Sequence, residues 1–104
     1  MVTIEELMKE VREFRDERDW KKYHTPKNLA LSISVEAAEL LELFQWKEDS
    51  LENVDKESLK EEVADIMIYL LSLSEVIDVD LSKAVEEKLE KNRERYPPEE
   101  EHFD

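Results

Sequence analysis

The chain has 104 residues, a formal net charge of −14 and 42 % charged residues, with no cysteine and no glycine. This length predicts one small domain, and the lack of cysteine excludes disulfides and thiolate metal sites. The lack of glycine disfavours phosphate-binding glycine loops and tight β-hairpins, which need positive φ, and the acidic charge disfavours nucleic-acid binding through a basic surface.

No stretch approaches the roughly 20 apolar residues of a membrane span, and the chain does not open with a charged and then apolar signal peptide. We therefore expect a cytoplasmic protein that has neither a membrane nor a nucleic acid as its partner.

The first half of the chain predicts two helices. The first runs from about Thr3 to Trp20, and Thr3 forms a T-x-x-E capping box with Glu6. The second begins at Thr25, a favourable N-cap that is followed by proline at the first helical position, and it continues to about Trp46.

The second half predicts two more helices and a tail. The third helix starts within 55–58, where Ser58 forms a second capping box with Glu61, and it ends near residue 77. Asp80 is a good N-cap for the fourth helix, which runs to about Tyr96, where two prolines stop it.

The domain is therefore expected to comprise residues 1–96, and residues 97–104 are expected to form a frayed acidic tail.

The connections between these segments are short, so consecutive helices should pack as antiparallel neighbours and form an all-α, antiparallel four-helix bundle. The second helix is apolar almost all the way round its axis, which is typical of a helix buried on both sides. Four helices in one chain leave one of those sides uncovered, so we expect a homo-oligomer, at minimum an isologous dimer, to complete the bundle. The apolar residues are Leu29, Ile33, Leu40, Leu43 and Phe44 on one side and Leu31, Val35, Ala38, Leu41 and Trp46 on the other.

Carboxylates interrupt the apolar faces of the second and third helices. At roughly 100° per residue, Glu36 falls inside the main apolar arc of the second helix and Glu39 at its edge, whereas Glu42 falls on the other side. On the third helix Glu62 lies between apolar positions, with Asp65 close by. An unpaired buried carboxylate costs several kcal/mol, so protonation, a cationic side chain or a metal ion must compensate.

The spacing of these acids suits a metal site. Residues three apart on a helix lie about 5–6 Å apart at Cβ, so E-x-x-E and E-x-x-D on antiparallel helices bring four carboxylates into one small volume. Four oxygen ligands, with neither Cys nor His in the motifs, suit a hard cation such as Mg²⁺ or Mn²⁺. A di-iron bundle would require Glu-x-x-His, which neither motif has.

The fourth helix carries Lys88, Asn92 and Arg95 along its apolar stripe rather than opposite it. These three residues are called the basic stripe below. Long basic side chains often lie along apolar surface while their charged heads reach water. Alternatively, the three residues are donors for phosphate oxygens, because lysine supplies a point charge and arginine a bidentate fork. Beside a cluster of carboxylates and metal, the second arrangement would suit a polyphosphate.

Aromatic residues cluster around the second helix: Trp20, Tyr23 and His24 precede it, Trp46 ends it, and Tyr69 lies one turn beyond the E-x-x-D motif. They form either ordinary core and interface packing or a slot for a planar base, where ring stacking contributes about 1–3 kcal/mol.

The stretches FRDERDWKKYHTPKNLALSISVEAAELLELFQW, EEVADIMIYLL and KNRERYP contain E-x-x-E, a spacer and E-x-x-D in that order. Together they resemble the all-α nucleoside triphosphate pyrophosphohydrolases, in particular the MazG-like group and its dCTP pyrophosphatase branch. The resemblance covers roughly residues 14–97, and the signature falls on Glu36, Glu39, Glu62 and Asp65.

The resemblance implies Mg²⁺-dependent hydrolysis of a nucleoside triphosphate to the monophosphate and pyrophosphate, by a homodimer or homotetramer. It implies that the four acids are catalytic metal ligands and that the basic stripe binds the phosphates. It also implies a pocket for the base and sugar that is lined by Trp20, His24, Trp46 and Tyr69.

Two alternatives compete with this interpretation. A non-enzymatic helical dimerisation module would explain the apolar second helix, but it would not explain the basic stripe in a chain that also has a carboxylate cluster. A related all-α phosphohydrolase acting on dUTP or phosphoribosyl-ATP would resemble this chain, although the aromatic residues around the second helix favour the dCTP branch.

Overall fold

The structure, a computed structural model, describes residues 1–45 and 52–98, so Trp46 and the predicted tail beyond Pro98 lie outside it. All regular elements of the described residues are helical, which confirms the all-α prediction. They are α1 (Ile4–Glu17), a 3₁₀ turn (Lys21–Tyr23), α2 (Pro26–Glu42), α3 (Lys56–Val76) and α4 (Leu81–Arg95). None of these helices has both the length and the apolar character needed to cross a membrane.

Three of the predicted N-caps are confirmed. The side chains of Thr3, Thr25 and Asp80 each accept a hydrogen bond from the backbone N–H three residues later, at 3.1–3.2 Å. Each bond satisfies one of the N–H groups that the first turn of a helix leaves without an intrahelical partner.

The predicted capping box at Ser58 is wrong, because Asp55 caps α3 instead. The Asp55 carboxylate accepts a hydrogen bond from the Glu57 N–H at 3.2 Å, and the Ser58 hydroxyl donates to its other oxygen at 2.7 Å. A carboxylate is favoured over a hydroxyl here, because its negative charge lies at the positive end of the helix dipole.

α2 ends at Glu42, one turn before the predicted end near residue 46. The N–H groups of Leu43 and Phe44 donate to carbonyl oxygens three residues back rather than four. The helix therefore closes with a tightened turn of the 3₁₀ type.

Two residues of the described backbone are in the left-handed region, although the chain has no glycine. Asp19 has a φ of 55° and Asp78 a φ of 56°, and each directly follows the C-cap of a helix. After Asp19, the Trp20 N–H donates to the Arg15 carbonyl at 3.0 Å, which is the 6→1 bond of a Schellman motif. Aspartate tolerates this region better than most residues, so it replaces glycine at both helix ends.

α3 is the central helix, because it packs most extensively against α2 and also against α1, whereas α4 packs against α1. The consecutive helices α2 and α3 are neighbours, as expected. The main neighbour of α1, however, is α3 rather than α2. Leu29 of α2 and Leu71 of α3 are the most deeply buried apolar residues described. An ion pair at 3.1 Å between Arg12 and Glu75 also joins α1 to α3.

Large apolar side chains remain at the surface of α2 and α3. Leu31, Val35 and Leu41 on α2 and Val63 on α3 are each more than half exposed. The three α2 residues belong to one of the two apolar sides predicted for this helix, and the single chain leaves them uncovered.

Candidate functional site

Two pairs of carboxylates meet where α2 packs against α3. Glu36 and Glu39 lie one turn apart on α2, and Glu62 and Asp65 lie one turn apart on α3. One carboxylate oxygen from each of Glu36, Glu62 and Asp65 lies within 4.8 Å of the other two. The spacing along each helix and the α2–α3 contact together produce this convergence.

Glu39 lies at the exposed edge of the same group. Its pKa is raised above the ordinary value, first by a hydrogen bond with Glu36, then by the negative charge of Glu36 and by burial. The structure thus brings the four predicted acids together, and we call Glu36, Glu39, Glu62 and Asp65 the acidic cluster. Glu42 is exposed, and its charge is the smallest of the causes that raise the pKa of Glu39.

Glu36 interacts with the other three acids of the cluster. Its pKa is raised, first by a hydrogen bond with Glu62, then by burial and by the charges of Glu62 and Asp65, while a hydrogen bond with Glu39 lowers it. Ionised carboxylates have no proton to donate, so two of them can share a hydrogen bond only if one is protonated. The raised pKa therefore reflects repulsion between neighbouring acids, which a compensating positive charge would relieve.

The acidic cluster fits a divalent cation. The Oε2 atoms of Glu36 and Glu62 are buried and lack a hydrogen-bond partner among the described residues. Oxygen atoms without a partner, close to a third carboxylate, are the donors that hard cations bind. A bound cation would satisfy both atoms and remove the repulsion that raises the pKa of Glu36.

An aromatic cavity of about 450 Å³ adjoins the cluster. Its lining includes the predicted residues Trp20, His24 and Tyr69, and it also includes Asp65. Asp65 therefore belongs both to the acidic cluster and to the wall of the cavity. The fourth predicted aromatic residue, Trp46, lies outside the described residues.

The cavity wall contains a histidine with a lowered pKa and a partly exposed aromatic pair. Burial, and then the positive charge of Arg15, lowers the pKa of His24, whose buried Nδ1 has no hydrogen-bond partner among the described residues. Trp20 contacts Phe14 edge to face, with 5.6 Å between ring centroids, and both rings are partly exposed. The cavity thus offers ring surfaces and a nitrogen atom that lacks a partner.

The basic stripe is on α4, whose principal packing contact is with α1. Lys88 lines a separate shallow groove on α4 together with Lys83 and Lys91. Arg95 lies over the ring of Tyr96, with 5.2 Å from its guanidinium carbon to the ring centroid. No ion pair joins the stripe to the acidic cluster within residues 1–45 and 52–98.

Several residues of the cavity wall were not predicted from the sequence, and Arg15 is the most unusual of them. Helical spacing gives a signal for it, because Arg15 lies four residues after Val11 and therefore on the same face of α1. Phe14, three residues after Val11, is half exposed, whereas Arg15 is buried. The other missed polar residues of the wall are Asn28, Ser32 and Ser72.

These features define an all-α protein whose acidic cluster, suited to a divalent metal, adjoins an aromatic ligand cavity. A model of the MazG-like family matches residues 31–103, and the chain belongs to this family. The family assignment and the geometry of the acids agree on a divalent metal at the cluster.

Similar proteins carry names that concern nucleotide and pyrophosphate chemistry. The chain is 42 % identical to the proteins named dCTP pyrophosphatase 1 of Rattus norvegicus and Homo sapiens, over 101 residues. These matches cover 91 % of this chain but only 59 % of each relative, so the chain spans about three fifths of their length. The crystal structure of a pyrophosphatase from Archaeoglobus fulgidus superposes with a TM-score of 0.85 and 51 % identity, covering 94 % of this chain and 95 % of that one.

Proposed function

We propose that this protein is a nucleoside triphosphate pyrophosphohydrolase that releases the nucleoside monophosphate and pyrophosphate. Its substrates would be deoxynucleoside triphosphates such as dCTP, or modified nucleotides, and its metal would be Mg²⁺, with Mn²⁺ as a substitute. The names of the similar proteins support this class of reaction.

The observation that best supports the proposal is that Asp65 belongs to both the cavity wall and the acidic cluster. Because Asp65 lines the aromatic cavity and belongs to the acidic cluster, a base held in the cavity would have its phosphates directed toward the carboxylates. Attack at the α-phosphorus next to the sugar yields a monophosphate and pyrophosphate, whereas attack at the terminal phosphorus yields a diphosphate. A metal held by the acidic cluster, directly beside the aromatic cavity, would favour attack at the α-phosphorus.

The residues of the cluster would have different roles in the reaction. Glu36, Glu62 and Asp65 would hold Mg²⁺, which when bound supplies positive charge for the phosphate oxygens and promotes ionisation of the attacking water. Glu39 would accept the proton of that water, because it is exposed at the edge of the cluster and outside the group of three converging oxygens. Its raised pKa brings this carboxylate nearer to the pKa of an effective general base.

The basic stripe would bind the leaving pyrophosphate in an oligomer. Lys88 and Arg95 would stabilise the charge that develops on the leaving group, and Asn92 would donate a neutral hydrogen bond. The chain packs α4 against α1 rather than against the carboxylates, so we propose that a second copy supplies the stripe to each acidic cluster. The exposed apolar residues of α2 and α3 support a homodimer or homotetramer.

Product analysis tests the reaction. The protein is incubated with Mg²⁺ and each of the common, oxidised and methylated nucleoside triphosphates, including dUTP. We expect dCTP to yield dCMP and pyrophosphate, and release of dCDP and phosphate would reject the proposal. In Asp65→Asn and Glu39→Gln, turnover should fall by more than about 100-fold, since losing even the partners of metal ligands typically costs about 10–100-fold.

Glu42→Gln is the matched control, because Glu42 is a glutamate of the same helix that lies outside the cluster. It should keep wild-type turnover. Equal losses in all three variants would show that the effect comes from the overall charge of α2 and α3 rather than from the cluster.

A further inference from the structure

Arg15 is the only charged side chain that is buried within residues 1–45 and 52–98, with 6 % of its surface exposed. A buried charge is costly unless it is well paired. Its one ion-pair partner is Asp16, whose side chain is 53 % exposed, and exposed pairs contribute little. Stability alone therefore gives a poor account of an arginine at this position.

The fold of the segment that follows α1 places Arg15 beside the ligand cavity. Asp19 reverses the chain in the left-handed conformation, and the Trp20 N–H returns to the Arg15 carbonyl at 3.0 Å. This reversal brings Trp20 and His24 back over the end of α1, so that all three residues line the cavity. The guanidinium is close enough to His24 for its charge to lower the pKa of the imidazole.

One edge of the guanidinium is held and another is left for a ligand. Asp16 Oδ1 accepts a hydrogen bond from Nε at 3.0 Å and lies 2.9 Å from Nη2 in an ion pair, which fixes the plane of the group. Nη1 donates to no residue of the described chain. The terminal edge, with one N–H from each of Nη1 and Nη2, is a fork for two adjacent acceptor atoms.

We propose that Arg15 is a specificity-determining residue, whose terminal guanidinium edge donates two hydrogen bonds to a base in the cavity. The proposal rests on the proposed function, and it narrows the substrates to bases that present two adjacent acceptors. Cytosine presents N3 and O2, and guanine presents N7 and O6. Uracil and thymine present an N–H between their carbonyls, and adenine pairs its N7 with an amine, so these bases would oppose a donor to the fork.

This mismatch should be expensive in a buried site. A buried donor without an acceptor loses its hydration without replacement, and a site built for a hydrogen bond rejects ligands that lack the matching atom. A bidentate pair discriminates against a wrong base by a factor of about 5 to 150. Arg15 is the one Lys or Arg side chain among the described residues that line this cavity.

The test compares base preference in wild type, Arg15→Met and Arg15→Lys. Methionine keeps the length of the stem without its charge, and lysine keeps the charge without the fork. The matched control is Arg12→Met, since Arg12 lies one turn earlier on α1, pairs with Glu75 and does not line the cavity. The measurements are kcat/KM for dCTP against dUTP and for dGTP against dATP, with binding of the four monophosphates by calorimetry.

We expect wild type and Arg12→Met to prefer either dCTP over dUTP or dGTP over dATP. In Arg15→Met and Arg15→Lys the preference should fall about 5- to 150-fold, through a rise in KM for the preferred substrate with little change in kcat. The pair that loses its ratio identifies whether cytosine or guanine is recognised. A wild type without either preference, or Arg15 variants that keep the ratio within about twofold, would overturn the proposal.

Calorimetry separates this inference from the proposed function. If wild type hydrolyses no nucleoside triphosphate, the proposed function fails, but selective binding of dCMP or dGMP that is lost in Arg15→Lys still supports the role of Arg15. If hydrolysis proceeds and the Arg15 variants retain base preference in both assays, only the role of Arg15 fails. Circular dichroism of each variant confirms that the compared proteins are folded.

Discussion

At the scale of single residues, the glutamates of α2 differ because each occupies a different environment. Glu36 is half-buried against two acids of α3, Glu39 is exposed at the edge of the cluster, and Glu42 lies outside it. Since the pKa of Glu36 is raised, its ionised form opposes folding when no cation is bound. The carboxylate that is proposed to hold the metal should therefore destabilise the metal-free protein.

Glu36→Gln should have effects of opposite sign on stability and on metal binding. In EDTA at neutral pH we expect a higher melting temperature than wild type, because glutamine removes the repulsion with Glu62 and Asp65. With millimolar Mg²⁺ and nucleotide we expect wild type to gain stability and Glu36→Gln to gain little, since a ligand stabilises only the state that binds it. Thermal melts with and without Mg²⁺ measure both effects.

The pH dependence of the stability of Glu36→Gln tests whether repulsion between the acids causes its advantage over wild type. Below the ordinary pKa of about 4.5, Glu36 is protonated in both the folded and unfolded states, so the variant should have no advantage from it. As pH rises through the raised pKa of the folded state, wild type loses stability that glutamine cannot lose. An advantage for Glu36→Gln that is as large at pH 4 as at pH 7 would contradict this origin, and Glu42→Gln is the control.

The sequence predicted the acids more completely than it predicted the cavity. Glu36 and Asp65 could be found because helical spacing alone assigns their faces, and the α2–α3 contact then completes the cluster. Helical spacing places Arg15 on the same face as Val11, but it does not predict the reversal at Asp19 that places Trp20 and His24 beside this side chain. The position of Trp20 over the end of α1 depends on the same backbone conformation, for which aspartate is a weak signal.

At the scale of helices, the connection between α3 and α4 contains two aspartates with opposite roles. Asp78 holds the left-handed position after α3, where its carboxylate also lies near the negative end of that helix. Asp80 caps α4, and its Oδ1 accepts a hydrogen bond from the Lys83 N–H at 3.1 Å. Two residues of the same type, two positions apart, therefore affect stability in opposite directions.

Asp78→Gly should stabilise the protein by about 0.5–1 kcal/mol, because glycine relieves the left-handed strain and removes a charge that opposes the dipole of α3. Asp80→Ala should destabilise it by about 1 kcal/mol, because the α4 N-cap is lost. For a domain of this size the two melting temperatures should move in opposite directions by several degrees, roughly 4–8 °C per kcal/mol. Shifts of the same sign would show that net charge in this connection outweighs local geometry.

Helix positions were predictable, but their ends were predictable only where one residue type dominates the cap. Thr25 followed by proline located the start of α2, and Asp80 located the start of α4. At α3, Asp55 and Ser58 were both plausible, and the choice of the carboxylate depends on charge at the helix end rather than on sequence spacing. The central position of α3 was not predictable either, because an apolar helix does not specify which neighbours cover it.

At the scale of the whole molecule, the fold separates two groups that the proposed reaction would need together. The acidic cluster lies at the α2–α3 contact, and the basic stripe lies on α4, which packs against α1. The α2 side that carries Leu31, Val35 and Leu41 is uncovered, so it can receive another copy of the chain. An oligomer formed through such surfaces could bring the stripe of one copy to the cluster of another.

Mixing two inactive variants tests whether sites are shared between copies. One variant is Glu62→Gln, and the other combines Lys88→Ala with Arg95→Ala; each alone should lose most activity. If each site takes its acids from one copy and its stripe from another, random co-refolding of equal amounts should restore about a quarter of the wild-type sites. Half of the dimers would be mixed, and each mixed dimer would hold one site with both sets of native residues and one site with neither.

If a single chain supplies both groups, the mixed dimers would hold no intact site and the activity would stay at the level of the separate variants. Mixing without refolding is the control, because subunits that do not exchange cannot form the shared site.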